Sequence, residues 1–139
     1  MRPIETVSIG DQLPELSRVV TREDVRGYAD ASGDHNPLHR DDAFARSVGF
    51  PGIIAHGMFT MGHMAAAVVA WAGRPDAVLA VSAQFRAPVF MEETIVAGGR
   101  VRSIDDGTAT AVLETWVRVE RGGRTEWPVK KGEARVRLA

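Results

Sequence analysis

Asp34 and His39 lie five residues apart in the segment Gly33-Asp34-His35-Asn36-Pro37-Leu38-His39, and His56-Gly57-Met58 follows seventeen residues after His39. A carboxylate can orient a water molecule or accept its proton, and an imidazole of ordinary pKa exchanges protons near neutral pH. Asn36-Pro37 between them favours a rigid turn, and rigidity matters because acid–base groups must be held at a fixed separation. Gly57 falls at the expected start of a helix. A backbone N–H there has no intrahelical acceptor and carries the positive end of the helix dipole. It can oppose negative charge on an oxygen, and glycine lets that oxygen come close. Taken one at a time, these residues have plainer readings: Asp-x-Asn-Pro is ordinary turn chemistry, and a lone histidine more often sits on the surface or in a satisfied core.

Three helices and a set of strands must position this segment. Thr21-Arg22-Glu23-Asp24 has the form of a capping box, with Val25, Tyr28 and Ala29 at helical spacing after it, so a short helix is expected to about Ala31. Ser32-Gly33-Asp34 ends it. A second short helix is expected over Asp41–Val48, with Gly49 as its stop. The third should run from about Gly57 to Trp71. Its apolar residues surround nearly the whole circumference, which demands burial on all sides. Methionines 58, 61 and 64 share its helical spacing and read as core, with the option that such adaptable side chains line an apolar tunnel.

The C-terminal half has period two. Val81, Ala83 and Phe85 alternate with polar residues, as do Ala109, Ala111, Leu113, Thr115, Val117 and Val119, and then Ala134, Val136 and Leu138. Such alternation describes antiparallel strands with one wet face. Thr94–Ser103 fits as a further strand. Asp105-Asp106-Gly107 and Arg121-Gly122-Gly123-Arg124 read as hairpin turns, and Gly98-Gly99 as a bulge or a close backbone approach. The fold expected over residues 1–139 is one α+β domain, a curved antiparallel sheet wrapped round a central apolar helix.

The bulk numbers narrow the functional classes. With 139 residues, no cysteine and 17 basic against 18 acidic side chains, the chain has a net charge of −1. Thiolate catalysis, disulfides and cysteine-held metals are excluded. The charge balance gives no reason to expect nucleic acid or a membrane surface as partner, although a local basic patch could still meet an anionic ligand. No apolar run reaches the roughly 20 residues of a membrane-spanning helix, and the N-terminus lacks a signal-peptide pattern, so a cytoplasmic protein is expected. His56 and His63 are seven apart, but no third ligand stands at a convincing spacing and no metal site is expected. His63 reads as packed or at an interface. His35 and Arg40 read as exposed, and Arg74, Arg86, Arg100 and Arg102 as ordinary surface arginines that could also meet an anionic ligand.

The run Ala31-Ser32-Gly33-Asp34-His35-Asn36-Pro37-Leu38-His39, followed by Gly52-Ile53-Ile54-Ala55-His56-Gly57-Met58, closely resembles the signature of the MaoC-like hydratase/dehydratase family, which includes (R)-specific enoyl-CoA hydratases and 3-hydroxyacyl-ACP dehydratases. Ile9-Gly10-Asp11 and Thr60-Met61-Gly62 add a likeness to the catalytic subunit of mycolic-acid-type dehydratases. The resemblance implies a hot-dog fold and reversible addition of water to a trans-2-enoyl thioester, carried by acyl-CoA or acyl carrier protein, giving the (R)-3-hydroxy product. It implies Asp34 and His39 as the catalytic pair, Gly57 as the oxyanion donor and Asn36 as the residue holding the loop. His56 and Met58 are expected to bind or position substrate. No cofactor is implied, and a homodimer or a heterodimer with a related hot-dog chain is. Two rivals remain. A hot-dog thioesterase would normally carry its carboxylate on the central helix, where this chain has none from Gly57 to Ala72. A non-catalytic acyl-binding subunit would not need the intact Asp34 and His39.

Overall fold

A computed structural model describes all 139 residues. Five antiparallel strands form one sheet: β1 (Leu16–Val19), β2 (Val78–Phe85), β3 (Thr94–Asp105), β4 (Thr110–Arg121) and β5 (Arg124–Arg137), in the order β1-β3-β4-β5-β2. The hairpin between β4 and β5 closes through Gly122 and Gly123 at φ 58° and 76°. Positive φ at both central residues matches the right-handed strand twist, and glycine adopts it without a Cβ penalty. Gly98 and Gly99 are close approaches and not a bulge. A Cβ on Gly98 would lie 2.6 Å from the Trp116 indole nitrogen, and one on Gly99 would lie 2.7 Å from the Glu114 carbonyl oxygen. The register slip of β3 falls later, between Val101 and Ser103.

Three α-helices lie outside the sheet: α1 (Arg22–Ser32), α2 (Asp42–Ser47) and α3 (Gly57–Ala72). The capping box forms as the sequence requires, with the Thr21 hydroxyl accepting from Asp24 N–H at 3.1 Å, and Gly33 ends α1 in the left-handed region. Met64, Ala67, Val68, Trp71 and Ala72 of α3 are buried against the sheet. At one end Val68 and Trp71 meet Val101, Leu113 and Val136, and at the other Met64 and Ala67 meet Ile95, Val117 and Val129. Each such large side chain contributes roughly 1.5–3 kcal/mol by leaving water.

The expectation that α3 is buried on all sides is corrected for the single chain. Met58, at 56% exposure, and Gly62, Ala66 and Ala70 face outward four residues apart. The sheet covers only one side of the helix. The outward stripe is small and apolar, so hydrophobicity alone does not mark it as a separate face.

Residues 20–56 form an overhang between β1 and α3, and it is tied down at several points. Arg22 pairs with Asp42 at 2.9 Å. The same carboxylate accepts from Ile53 N–H at 2.9 Å. Ile54 N–H donates to the Leu38 carbonyl at 3.0 Å, and Ala55 N–H to Val89 at 2.9 Å.

Candidate active site

The loop after α1 is a chain of short-range hydrogen bonds. Asp34 N–H donates to the Ser32 hydroxyl at 3.2 Å, Asn36 N–H to the Asp34 carboxylate at 3.2 Å, and Leu38 N–H to the Asn36 side-chain oxygen at 3.0 Å. Pro37 opens a single 3-10 turn, Pro37–His39, for which its fixed φ is suited. Asn36 is therefore the cap of the turn that presents His39, and only one Asp34 carboxylate oxygen is engaged by the loop.

The histidine tautomers follow from their partners. A backbone carbonyl only accepts, so His39 Nδ1, 2.7 Å from the Ile54 oxygen, carries its proton and leaves Nε2 with a lone pair. His56 Nε2, 3.0 Å from the Asp34 backbone oxygen, is likewise the protonated nitrogen. The two rings stack with centroids 3.7 Å apart and planes inclined by 24°. Tyr28 of α1 meets the His56 ring edge-on at 4.9 Å, and Phe59 meets Tyr28. His56 is 2% exposed, and its Nδ1 has no partner in the protein. It braces both members of the pair: its ring supports His39, and its N–H holds the backbone of Asp34.

One side-chain donor atom from each of Asp34, His39 and His56 lies within 4.8 Å of the others. One water molecule hydrogen-bonded to two groups holds them about 4.6 Å apart, so the cluster is of the size to grip a water. Imidazole lone pairs lie in the ring plane, and two stacked rings do not aim them at one point about 2.0–2.1 Å from each, as a bound zinc would require. The arrangement suits proton exchange with a held water better than metal ligation.

His39 also lines a cavity of about 400 Å³, whose apolar wall includes Phe50, Ile54, Ala55, Phe85, Ala87 and Val89. Gly57 and Thr60, in the first turn of α3, line it too. Gly57 is the first residue of α3, so its N–H has no intrahelical acceptor. A Cβ at Gly57 would touch the Phe85 ring at 3.1 Å, so glycine also keeps that approach open. Met58 lies outside this lining, on the exposed side of α3.

The residues set aside find other partners. His63 donates from Nε2 to the Leu16 carbonyl at 2.7 Å, packing α3 on β1. Arg40 bonds the His35 ring at 2.9 Å, both exposed. Arg74, Arg100 and Arg102 are paired with Asp76, Glu114 and Glu133, whereas Arg86, bonded to Gln84, lines the cavity beside His39. Tyr28 and Phe85 join the site without a signal in the sequence that marks them for it. Tyr28 reads there only as part of an apolar helical face, and Phe85 reaches the cavity through tertiary packing.

Burial holds His56 and His63 below the ordinary histidine pKa of 6.5 by disfavouring the charged ring. The unfolded chain then binds protons at these positions before the folded one, so stability falls as the pH drops below 6.5. Hydrogen bonds from Arg18 and Arg22 keep Asp24 and Asp42 below 3.8, so these two stay ionised in that window. The midpoint of urea unfolding is expected to fall between roughly pH 7.5 and 5.5, and to fall less in His63→Gln.

Over residues 6–122 the sequence matches the family described as MaoC like domain. The chain belongs to the MaoC-like domain family. The (R)-specific enoyl-CoA hydratase of Aeromonas caviae is 29% identical to it over 135 residues, spanning 96% of this chain and 97% of that protein. A solved structure described as the (R)-hydratase from A. caviae involved in PHA biosynthesis superposes with a TM-score of 0.85 at 29% identity, covering 97% of this chain and 99% of that one. The 3-hydroxyacyl-thioester dehydratase X of Mycobacterium tuberculosis is 47% identical over 77 residues, 54% of this chain, and those residues are 26% of that protein's length. The chain thus spans about a quarter of that relative. The curved five-stranded sheet around α3 is the hot-dog fold of these MaoC-like neighbours.

Proposed function

We propose that this MaoC-like domain adds water reversibly to a trans-2-enoyl thioester, giving the (R)-3-hydroxyacyl thioester. The observation that carries the reading is the juxtaposition of the Asp34 carboxylate and the His39 imidazole, with His39 and Gly57, the first residue of α3, in the wall of an apolar cavity. In hydration the pair holds a water, takes one proton from it as its oxygen bonds to C3, and returns one proton to C2. Negative charge gathers on the thioester oxygen during this step, and Gly57 N–H with the α3 dipole opposes it. Dehydration runs the same path backwards. The step involves no net oxidation or reduction, so acid–base groups of the chain suffice for the chemistry. The (R) stereochemistry follows the name of the A. caviae relative.

Thioester hydrolysis is disfavoured, because α3 carries no acidic residue. The reading also includes self-association. Strand β2 bonds β5 on one side only, and the edge it leaves carries Leu79 at 43% and Phe85 at 49% exposure. An eight-residue edge of this kind is covered when a second hot-dog chain, identical or related, continues the sheet. The function is tested with 3-hydroxybutyryl-CoA: formation of the enoyl-thioester absorbance from the (R) but not the (S) isomer is the expected result.

A further inference from the structure

The sheet carries a second cavity, of about 460 Å³, on the face turned away from α3. Trp116 of β4 and Trp127 of β5 supply two indoles, and Arg100, Lys130 and Lys131 supply three cations. Glu114 is its one carboxylate, and Arg100 already holds it at 3.0 Å. Lys130 and Lys131 belong to none of the ion pairs of the chain. Indole and ammonium groups donate hydrogen bonds and accept none. Apart from the Thr115 hydroxyl, which has no partner in the protein, and the second oxygen of Glu114, the pocket offers flat aromatic faces and hydrogen-bond donors.

The backbone is shaped to build this pocket. Val117 pairs with Val129 and Thr115 with Gly132, so Trp116 on β4 stands opposite two residues, Lys130 and Lys131, on β5. Successive residues of a regular strand point to opposite faces, and the extra residue lets both lysines line one cavity. Lys131 adopts φ 53°, a left-handed conformation that costs a residue with a Cβ about 1–2 kcal/mol, and glycine would adopt it freely. Gly98 completes the arrangement by leaving room for the Trp116 ring. A strained lysine and a bulge beside two half-buried indoles are features the hydration chemistry does not use.

We infer that this outer-face cavity binds a nucleotide, with the base stacked on the indoles and the phosphates held by Lys130, Lys131 and Arg100. A planar, acceptor-rich anion is the ligand chemistry that satisfies all of these groups together, and 460 Å³ lies in the range of small-molecule sites. The cavity shares no lining residue with the one beside His39, so the inference stands independently of the reaction assigned there. The same chemistry is present in a free nucleotide and in the nucleotide end of CoA.

The test is tryptophan fluorescence of the full chain titrated with ADP, CoA, adenosine and inorganic phosphate, in wild type and in Lys130→Ala/Lys131→Gly. Saturable quenching by ADP is expected, with adenosine and phosphate each weaker by roughly tenfold or more. The double variant should weaken ADP binding by a similar factor while melting no lower than wild type, because glycine relaxes position 131. Equal affinity for ADP and CoA would mark a free nucleotide as sufficient, and clearly tighter CoA would mark the thioester carrier as the source. No saturable quenching at millimolar ADP, or an unchanged affinity in the double variant, would overturn the inference.

Discussion

Replacing His39 with glutamine is expected to lower the rate of crotonyl-CoA hydration by roughly a hundredfold or more, with little change in melting temperature. Glutamine can still donate to the Ile54 carbonyl, the bond that His39 Nδ1 makes at 2.7 Å, so the local anchor is preserved. It cannot exchange a proton at the position of Nε2. Asp34→Asn should cost a comparable factor, because an amide keeps the size of the carboxylate but loses its charge. The double variant is expected to be little worse than the poorer single one, since two groups acting on one water fail together. A His39→Gln protein that melts much earlier and loses activity in proportion would instead mark His39 as a structural anchor of the overhang.

The largest expected effect on stability is at Gly132. A Cβ there would lie 2.5 Å from the Thr115 hydroxyl, 2.8 Å from the Thr115 carbonyl oxygen and 3.0 Å from the Met64 sulfur. Thr115 and Met64 are buried at the contact of β4 and α3, so an added methyl must push them or the β5 backbone aside. Gly132→Ala should destabilise the fold by about 1–3 kcal/mol, seen as a melting temperature lower by roughly 3–10 °C. Gly27→Ala provides the contrast. Gly27 lies inside α1 with nothing within 4 Å of its Cβ position, so alanine there should stabilise by about 0.5–1 kcal/mol through helix propensity.

These predictions draw on different depths of the sequence. The capping box at Thr21 and Asp24, the stop at Gly33 and the Gly122-Gly123 hairpin depend on neighbours a few residues away, and local spacing makes them legible. Strand β1 has no such signal. Its four residues, Leu16–Val19, show no alternation of buried and exposed positions, and pairing with β3 defines it. The two-sided character of α3 is hidden because Met58, Gly62, Ala66 and Ala70 are as small or apolar as the buried residues behind them.

The site divides in the same way. Asp34, Asn36 and His39 sit on one turn whose hydrogen bonds run between residues two apart, so their spacing along the chain carries chemical meaning by itself. The brace that His56 supplies spans 22 residues to the Asp34 carbonyl and stacks on a ring 17 positions away. The cavity wall at Phe85 and Pro128 comes from strands much later in the chain. No local pattern encodes such contacts, since they are set by how the overhang lies across the end of α3.

The measurement that bears most directly on the reaction is incubation of crotonyl-CoA with the wild-type chain in oxygen-18 water, followed by mass analysis of the thioester. The mechanism predicts 3-hydroxybutyryl-CoA with the heavy oxygen on C3 and the thioester intact. Free crotonate carrying the label in its carboxylate, or crotonyl-CoA returned unchanged by folded protein, would contradict it.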